Sequence, residues 1–266
     1  MKSYVVKIGT SGVINKDDVV DNLTVPRKAA EIRERYRQGD LFTVTASGSI
    51  GFGRISYGLS REYFDALKKS DSKEHISQLR QCAAHGQDLL MDFYKRAFHP
   101  FRCTQILVNY DDLKIPHDLD CIVDSIMKPQ IWHPNSETTI PIINYNDPTS
   151  AKEIVKDNDD LAAKVAGIIR AHELVILTDV DGFMFGGRVI PVVTNINTEY
   201  LEAARSKDGD SNGSMYAKLF AILKYAWPSS VSARIANVKA PLSDILSGEC
   251  GTYFPVPDQD GLRRAA

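Results

Sequence analysis

Cysteine is scarce in this chain: four residues in 266, Cys82, Cys103, Cys121 and Cys250, far apart and without a CxxC pair. That spacing argues against a disulfide framework or a zinc knuckle and makes a reducing cytoplasm the expected compartment. The six histidines show neither HxxxH nor HExxH spacing, so no metal site built from protein side chains is expected. No apolar run approaches the roughly 20 residues that a membrane span needs. The opening MKSYVVKIGTSG enters a strand-like run without an apolar leader. Charge of one sign is also missing: 32 Lys and Arg face 34 Asp and Glu, a formal net charge of -2. Such a balance offers no general attraction to nucleic acid or anionic lipid, and neither is expected as a partner. A GxGxxG at the first βα turn, a Walker GxxxxGK[ST] and the HRD and DFG pair are all absent, which sets aside the commonest dinucleotide, P-loop and protein-kinase readings.

What is present is an ordinary globular composition, 43% hydrophobic and 25% charged, enough for one large α/β unit. Short apolar runs alternate with amphipathic stretches. Strands are predicted at Tyr4 to Ile8, Leu41 to Thr45, Thr104 to Asn109, Ile140 to Asn144, Leu174 to Thr178 and Val231 to Ile235. Helical spacing covers Ala29 to Gln38, Lys73 to Phe98 with a break near His85-Gly86, Leu161 to Arg170 and Met215 to Ala226. The alternation predicts an open, mostly parallel sheet with helices on both faces. Residues 117–139 have weak periodicity and receive no assignment, and Ser206 to Gly213 reads as a loop.

Ligands of such sheets bind beyond the carboxyl ends of the strands, and the polar clusters sit there. Lys7-Ile-Gly9-Thr10-Ser11-Gly12 follows the first strand. Its glycines allow backbone N–H groups to cradle a phosphate beside the lysine, or merely make a turn. Thr45-Ala-Ser47-Gly48-Ser-Ile-Gly51-Phe-Gly53-Arg54 follows the second. Its small residues suit either a helix N-terminus receiving an anion or close helix packing. Asn144-Tyr145-Asn146-Asp147 and Asp157-Asn158-Asp159-Asp160 crowd two neighbouring junctions beyond what one N-cap requires. Thr178-Asp179 ends a further strand, and Gly213-Ser-Met215 leads into a helix carrying Lys218.

In this order, VVKIGTSG, TASGSIGFGR, PIINYND, KDNDDLAAKVAGI, LTDVDGF, GSMYAKL and DILSGECGTYF resemble the amino acid kinase superfamily, and within it the glutamate 5-kinase branch. The resemblance runs from Val5 to Phe254 and implies a three-layer αβα sandwich, one kinase domain over residues 1–266. No C-terminal PUA domain of the kind that many relatives append is expected after GTYF. The resemblance also implies ATP and Mg²⁺ as cosubstrate and cofactor, L-glutamate as acceptor, proline as a feedback inhibitor, and a homo-oligomer. By position, Lys7 and Lys218 match the family's phosphate-binding lysines, and Asp159 the aspartate that holds them. Ser47, Gly48, Asp147 and Asn158 match acceptor-binding positions, with Asn144 a further candidate. Gly9, Thr178, Asp179, Gly213 and Met215 fall on the nucleotide side. Tyr145 stands where members have Glu, a departure that bears on the acceptor. It supports one alternative, a related kinase for another carboxylate or phosphate acceptor; a catalytically silent ligand-binding paralogue is a second alternative, from another class. A side-chain carboxylate with a reference pKa of about 4.3 is already a nucleophile at neutral pH. The chemistry then needs positioning and cations rather than a general base.

Overall fold

The computed structural model describes residues 1–70, 73–131, 138–149, 158–205 and 214–257. The first apolar run forms β1 (Ser3–Ile8), buried on both faces: Tyr4, Val6 and Ile8 point into one core and Val5 into the other. A strand dry on both sides belongs in the middle of a sheet, and β1 lies between β2 (Leu41–Ala46) and β5 (Glu173–Thr178), parallel to both. Outward from β2 come β4 (Thr139–Tyr145) and then β3 (Arg102–Val108); outward from β5 come β8 (Ser232–Asn237) and β9 (Thr252–Phe254). Among the described strands of this sheet, only β9 runs antiparallel. The short β6 (Met184–Phe185) and β7 (Arg188–Val189) pair as a separate ribbon.

Helices cover both faces. On one lie α1 (Thr24–Arg37), α2 (Ser49–Ser56), α4 (Lys73–Phe98) and α9 (Leu242–Ser247). The other carries α5 (Pro116–Ile131), α6 (Asn158–Ile168) and α8 (Met215–Ala221). The remaining helices are α3 (Arg61–Ser70) beside α4 and α7 (Thr198–Ala204) beside α8. The result is an αβα sandwich with a mostly parallel sheet.

Four differences from the sequence reading have physical causes. Helix α1 begins five residues earlier than Ala29, because Pro26 lies in the first turn, where its missing N–H is no loss. Asp21 caps that turn, accepting from Leu23 N at 2.9 Å and Thr24 N at 3.0 Å. Helix α4 runs through His85-Gly86 unbroken. There a Cβ on Gly86 would lie 1.8 Å from Ser49 O, so the glycine serves a close helix crossing. Most apolar side chains of α4, among them Leu90, Met91, Phe93, Tyr94 and Phe98, face inward. The unassigned stretch contains α5, whose Pro129 and half-exposed flank blur its period. After Ala221 the last helical pattern widens into a π-helical turn (Ile222–Ala226). The predicted loop Ser206 to Gly213 lies outside the described residues.

Candidate active site

The carboxyl ends of β1, β2, β4, β5 and β8 open onto one cleft of about 1040 Å³. Lys7 is the penultimate residue of β1 and shares the face of Val5, so its side chain points towards α6. Asp159 lies in the first turn of α6, where the positive end of the helix favours a carboxylate. Lys218 comes from the first turn of α8. The three meet: Lys7 Nζ is 2.7 Å from Asp159 Oδ1, and Lys218 Nζ is 3.0 Å from Asp159 Oδ2. Asp159 is wholly buried. Burial drives its carboxyl upward, but the Lys7 and Lys218 ammonium groups prevail and hold it below its ordinary value. These three groups carry one net positive charge in a dry place beside the cleft, an arrangement that favours an incoming anion.

Ser47 and Gly48 follow β2. Gly48 is left-handed, with φ 117°, and a Cβ there would meet Val13 Cγ2 at 2.7 Å. Asn158 ties α6 to this turn, donating through Nδ2 to Ala46 O at 3.1 Å and to Ser47 Oγ at 2.8 Å. Ser49 Oγ donates to Asp147 Oδ2 at 3.4 Å. Ser47, Gly48, Asp147 and Asn158 therefore form one wall of the cleft. Thr178 and Asp179 form part of the opposite wall, held by Thr178 Oγ1 donating to Asp179 Oδ1 at 3.2 Å and by Val238 N donating to Thr178 O at 2.7 Å.

Two sequence-derived candidates, Asn144 and Met215, do not line the cleft. Asn144 is buried behind the wall, where its Nδ2 donates to Gln87 Oε1 at 2.9 Å and its Oδ1 accepts from Tyr145 N. Met215 packs against the core beneath α8. Gly213 lies outside the described residues. Tyr145, 1% exposed, belongs to the core under α5 and α6 and does not line the cleft. Conversely, the cleft includes Thr10, Ser11, Asn237, Lys239 and the segment from Ile14 to Asp17, which the sequence reading did not single out. Thr10 and Ser11 stood inside a noted motif. Asn237 lies beyond the predicted strand Val231 to Ile235, and no local signal marked it; it donates to Asp181 Oδ1 at 2.9 Å and braces the loop after β5.

Gly9 separates the two readings of its motif. Its φ of -70° suits any residue, and an added Cβ would lie 3.5 Å from Lys7 Nζ, in ordinary contact. The fold therefore does not need glycine here, but a methyl group would occupy cleft space next to the ammonium. Gly9→Ala is expected to leave stability unchanged or raised by about 0.4–1 kcal/mol, through the unfolded chain. It should also lower kcat/KM by roughly tenfold or more by crowding the reacting group. Urea melts and steady-state rates on one preparation check both signs.

The Amino acid kinase family matches residues 2–237. With the sandwich and its paired lysines, this settles the class: the chain belongs to the amino acid kinase family, a family of kinases. Within it, the chain is similar to the glutamate 5-kinase of Geobacter sulfurreducens, 32% identical over 282 residues, which cover 99% of this chain and 70% of the relative. The glutamate 5-kinase of Parasynechococcus marenigrum is 30% identical over 281 residues, covering 100% of this chain and 73% of the relative. Among solved structures, the Giardia carbamate kinase shares the fold, with a TM-score of 0.64 and 18% identity over 96% of this chain and 98% of the other. The Giardia lamblia carbamate kinase bound to AMP-PNP aligns with a TM-score of 0.63 and 16% identity, covering 97% of this chain and 99% of the other.

Proposed function

We propose that the protein transfers the γ-phosphoryl group of Mg·ATP to the γ-carboxylate of L-glutamate, giving γ-glutamyl phosphate for proline synthesis. The observation that carries this reading is the Lys7–Asp159–Lys218 cluster beside an acceptor wall of Ser47, Asp147 and Asn158. A glutamate carboxylate is ionised at neutral pH and needs no base. The loose transition state of phosphoryl transfer spreads negative charge over the equatorial oxygens, which two fixed ammonium groups are suited to receive. Asp159 holds those groups apart and aimed, so that little reorganisation accompanies the reaction. Among the described residues no three His, Cys, Asp or Glu side chains converge as a metal site. Magnesium enters as part of the nucleotide substrate, held by phosphate oxygens and water. The relatives that bear the name glutamate 5-kinase support the choice of acceptor. The same reading includes a cytoplasmic location, self-association, and proline as a competitor for the acceptor wall.

The test is ATP consumption with Mg²⁺ and a panel of glutamate, aspartate, N-acetylglutamate, carbamate and UMP, with hydroxylamine present to trap an acyl phosphate. Glutamate-dependent hydroxamate is the expected result; turnover with another acceptor alone overturns the glutamate assignment. In the same assay Lys218→Ala should retain glutamate binding and lose about 10²–10³ in kcat, the effect of removing one preorganised charge-stabilising donor. Unchanged turnover would remove Lys218 from the chemistry.

A further inference from the structure

Residues Val13 to Asp21 form a small hairpin that closes one side of the cleft. Ile14 bridges Val20 in antiparallel fashion, and Asn15 N donates to Val19 O at 2.9 Å. Asn15 Oδ1 accepts from Asp17 N and from Val19 N, each at 2.9 Å, shaping the tip. Ile14, Asn15, Lys16 and Asp17 line the cleft on the side of Ser47 to Gly51. The hairpin is seated tightly on α2, since a Cβ on Gly51 would come 2.5 Å from Ile14 Cδ1.

The tip is also held by two arginines that line the same cleft, Arg54 and Arg61. Asp18 has a left-handed backbone, φ 60°, which costs a non-glycine residue energy unless its surroundings enforce it. Arg54 at the end of α2 is 6% exposed and donates to both carboxylate oxygens, Nη1 to Oδ2 at 2.9 Å and Nη2 to Oδ1 at 2.5 Å. Its Nη1 also donates to Leu59 O at 2.8 Å. Arg61 at the start of α3 adds Nε and Nη2 to Asp18 Oδ1 at 3.1 and 2.7 Å, and Nη2 to Asn15 O at 3.3 Å. Two guanidinium groups from two helices thus converge on one carboxylate, a planar, multiply bonded grip that lysine does not reproduce. Neither the phosphoryl chemistry nor the packing of the two main cores calls for it.

We propose that Asp18, gripped by Arg54 and Arg61, is a positioning residue that holds this hairpin as the acceptor-side wall and thereby sets acceptor affinity and selectivity. The inference rests on the kinase reading above. The hairpin presents adjacent opposite charges to the cleft, Lys16 and Asp17. They complement a zwitterionic acceptor, an amino acid carrying both α-ammonium and α-carboxylate, over one whose ammonium is acylated. Releasing the clamp loosens the wall without touching the lysine cluster.

The test uses the full chain with Asp18→Asn, and Arg61→Gln as a milder variant because the Arg61 side chain is 46% exposed. Amide hydrogen exchange over residues 14–20 is measured beside steady-state kinetics with glutamate and N-acetylglutamate. Both variants should speed exchange in that segment and raise the glutamate KM by about tenfold, with kcat and the ATP KM within about twofold, the pattern of lost ground-state binding. The preference for glutamate over N-acetylglutamate should shrink in parallel. Unchanged exchange overturns the clamp. Faster exchange with an unmoved glutamate KM, or with equal rises in both KM values, overturns its role in acceptor selection. If the parent protein turns over neither acceptor, the glutamate reading falls, and exchange alone then decides whether the clamp holds the hairpin.

Discussion

Asp159→Asn is expected to lower kcat by about 10²-fold or more and to destabilise the fold by roughly 3–5 kcal/mol, the cost of leaving buried charge uncompensated. The carboxylate is wholly buried, and the Lys7 and Lys218 side chains are 5% and 3% exposed. Without it two ammonium groups share one dry site, and one of them sheds its proton. The two proteins then differ in pH dependence. In the parent, the Asp159 carboxyl is held below its ordinary value. Its contribution is therefore present above the unfolded value of about 3.9 and lost as pH falls through the folded one. In the variant the displaced group is a lysine whose folded pKa lies below its unfolded value of about 10.4. The unfolded chain then binds more protons, so stability rises with pH across that interval. Urea midpoints measured from neutral to pH 9.5 should show the gap between variant and parent narrowing as pH rises. A constant gap, or a variant with parental turnover, would show that Asp159 does not hold the two cations.

The parts of this molecule legible in its sequence are those where one local rule decides. β1, β2 and β5 are short, doubly buried strands bounded by turn residues, and a run such as Tyr4-Val-Val-Lys-Ile8 has few other uses. Lys7, Asp159 and Lys218 could be paired from the resemblance, while their 2.7 and 3.0 Å contacts depend on how β1, α6 and α8 pack. Residues whose environment is set by tertiary contact were misjudged. Gly86 looks like a helix breaker until Ser49 is placed against it. Asn144 and Tyr145 adjoin Asp147 in sequence, but strand alternation sends Tyr145 into the core and leaves Asn144 bonded to Gln87. Tyr145, the residue that most favoured a different acceptor, is thus not part of the cleft wall. The Asp18 clamp was invisible because its partners, Arg54 and Arg61, are 36 and 43 residues away and no short spacing marks them.

Gly86→Ala should be the most damaging change outside the cleft. In an exposed helix interior, alanine for glycine gains about 1 kcal/mol, so the sign depends on the surroundings. Here an added Cβ would lie 1.8 Å from Ser49 O and 2.4 Å from Gly53 N. Both are backbone atoms of α2, which no rotamer change can move aside. The helices must separate by more than an ångström, at the price of the contacts between them. Overpacking of this kind typically costs about 1–3 kcal/mol and sometimes more, which outweighs the helix-propensity gain. Gly53→Ala meets the same crossing from the other side, its Cβ 2.0 Å from Cys82 O, and should behave alike. The strain has a direction. Ser49 opens α2 directly after Ser47 and Gly48, and its hydroxyl reaches Asp147, so displacing α2 displaces the acceptor wall while β1, β5 and α8 stay in place. Under the proposed function, either variant should therefore lower the urea midpoint and raise the glutamate KM by about tenfold or more, with the ATP KM changing far less. Equal changes in both KM values would mean that α2 does not act as a separate acceptor-side unit. An unaltered urea midpoint would mean that the crossing has room that its backbone distances deny.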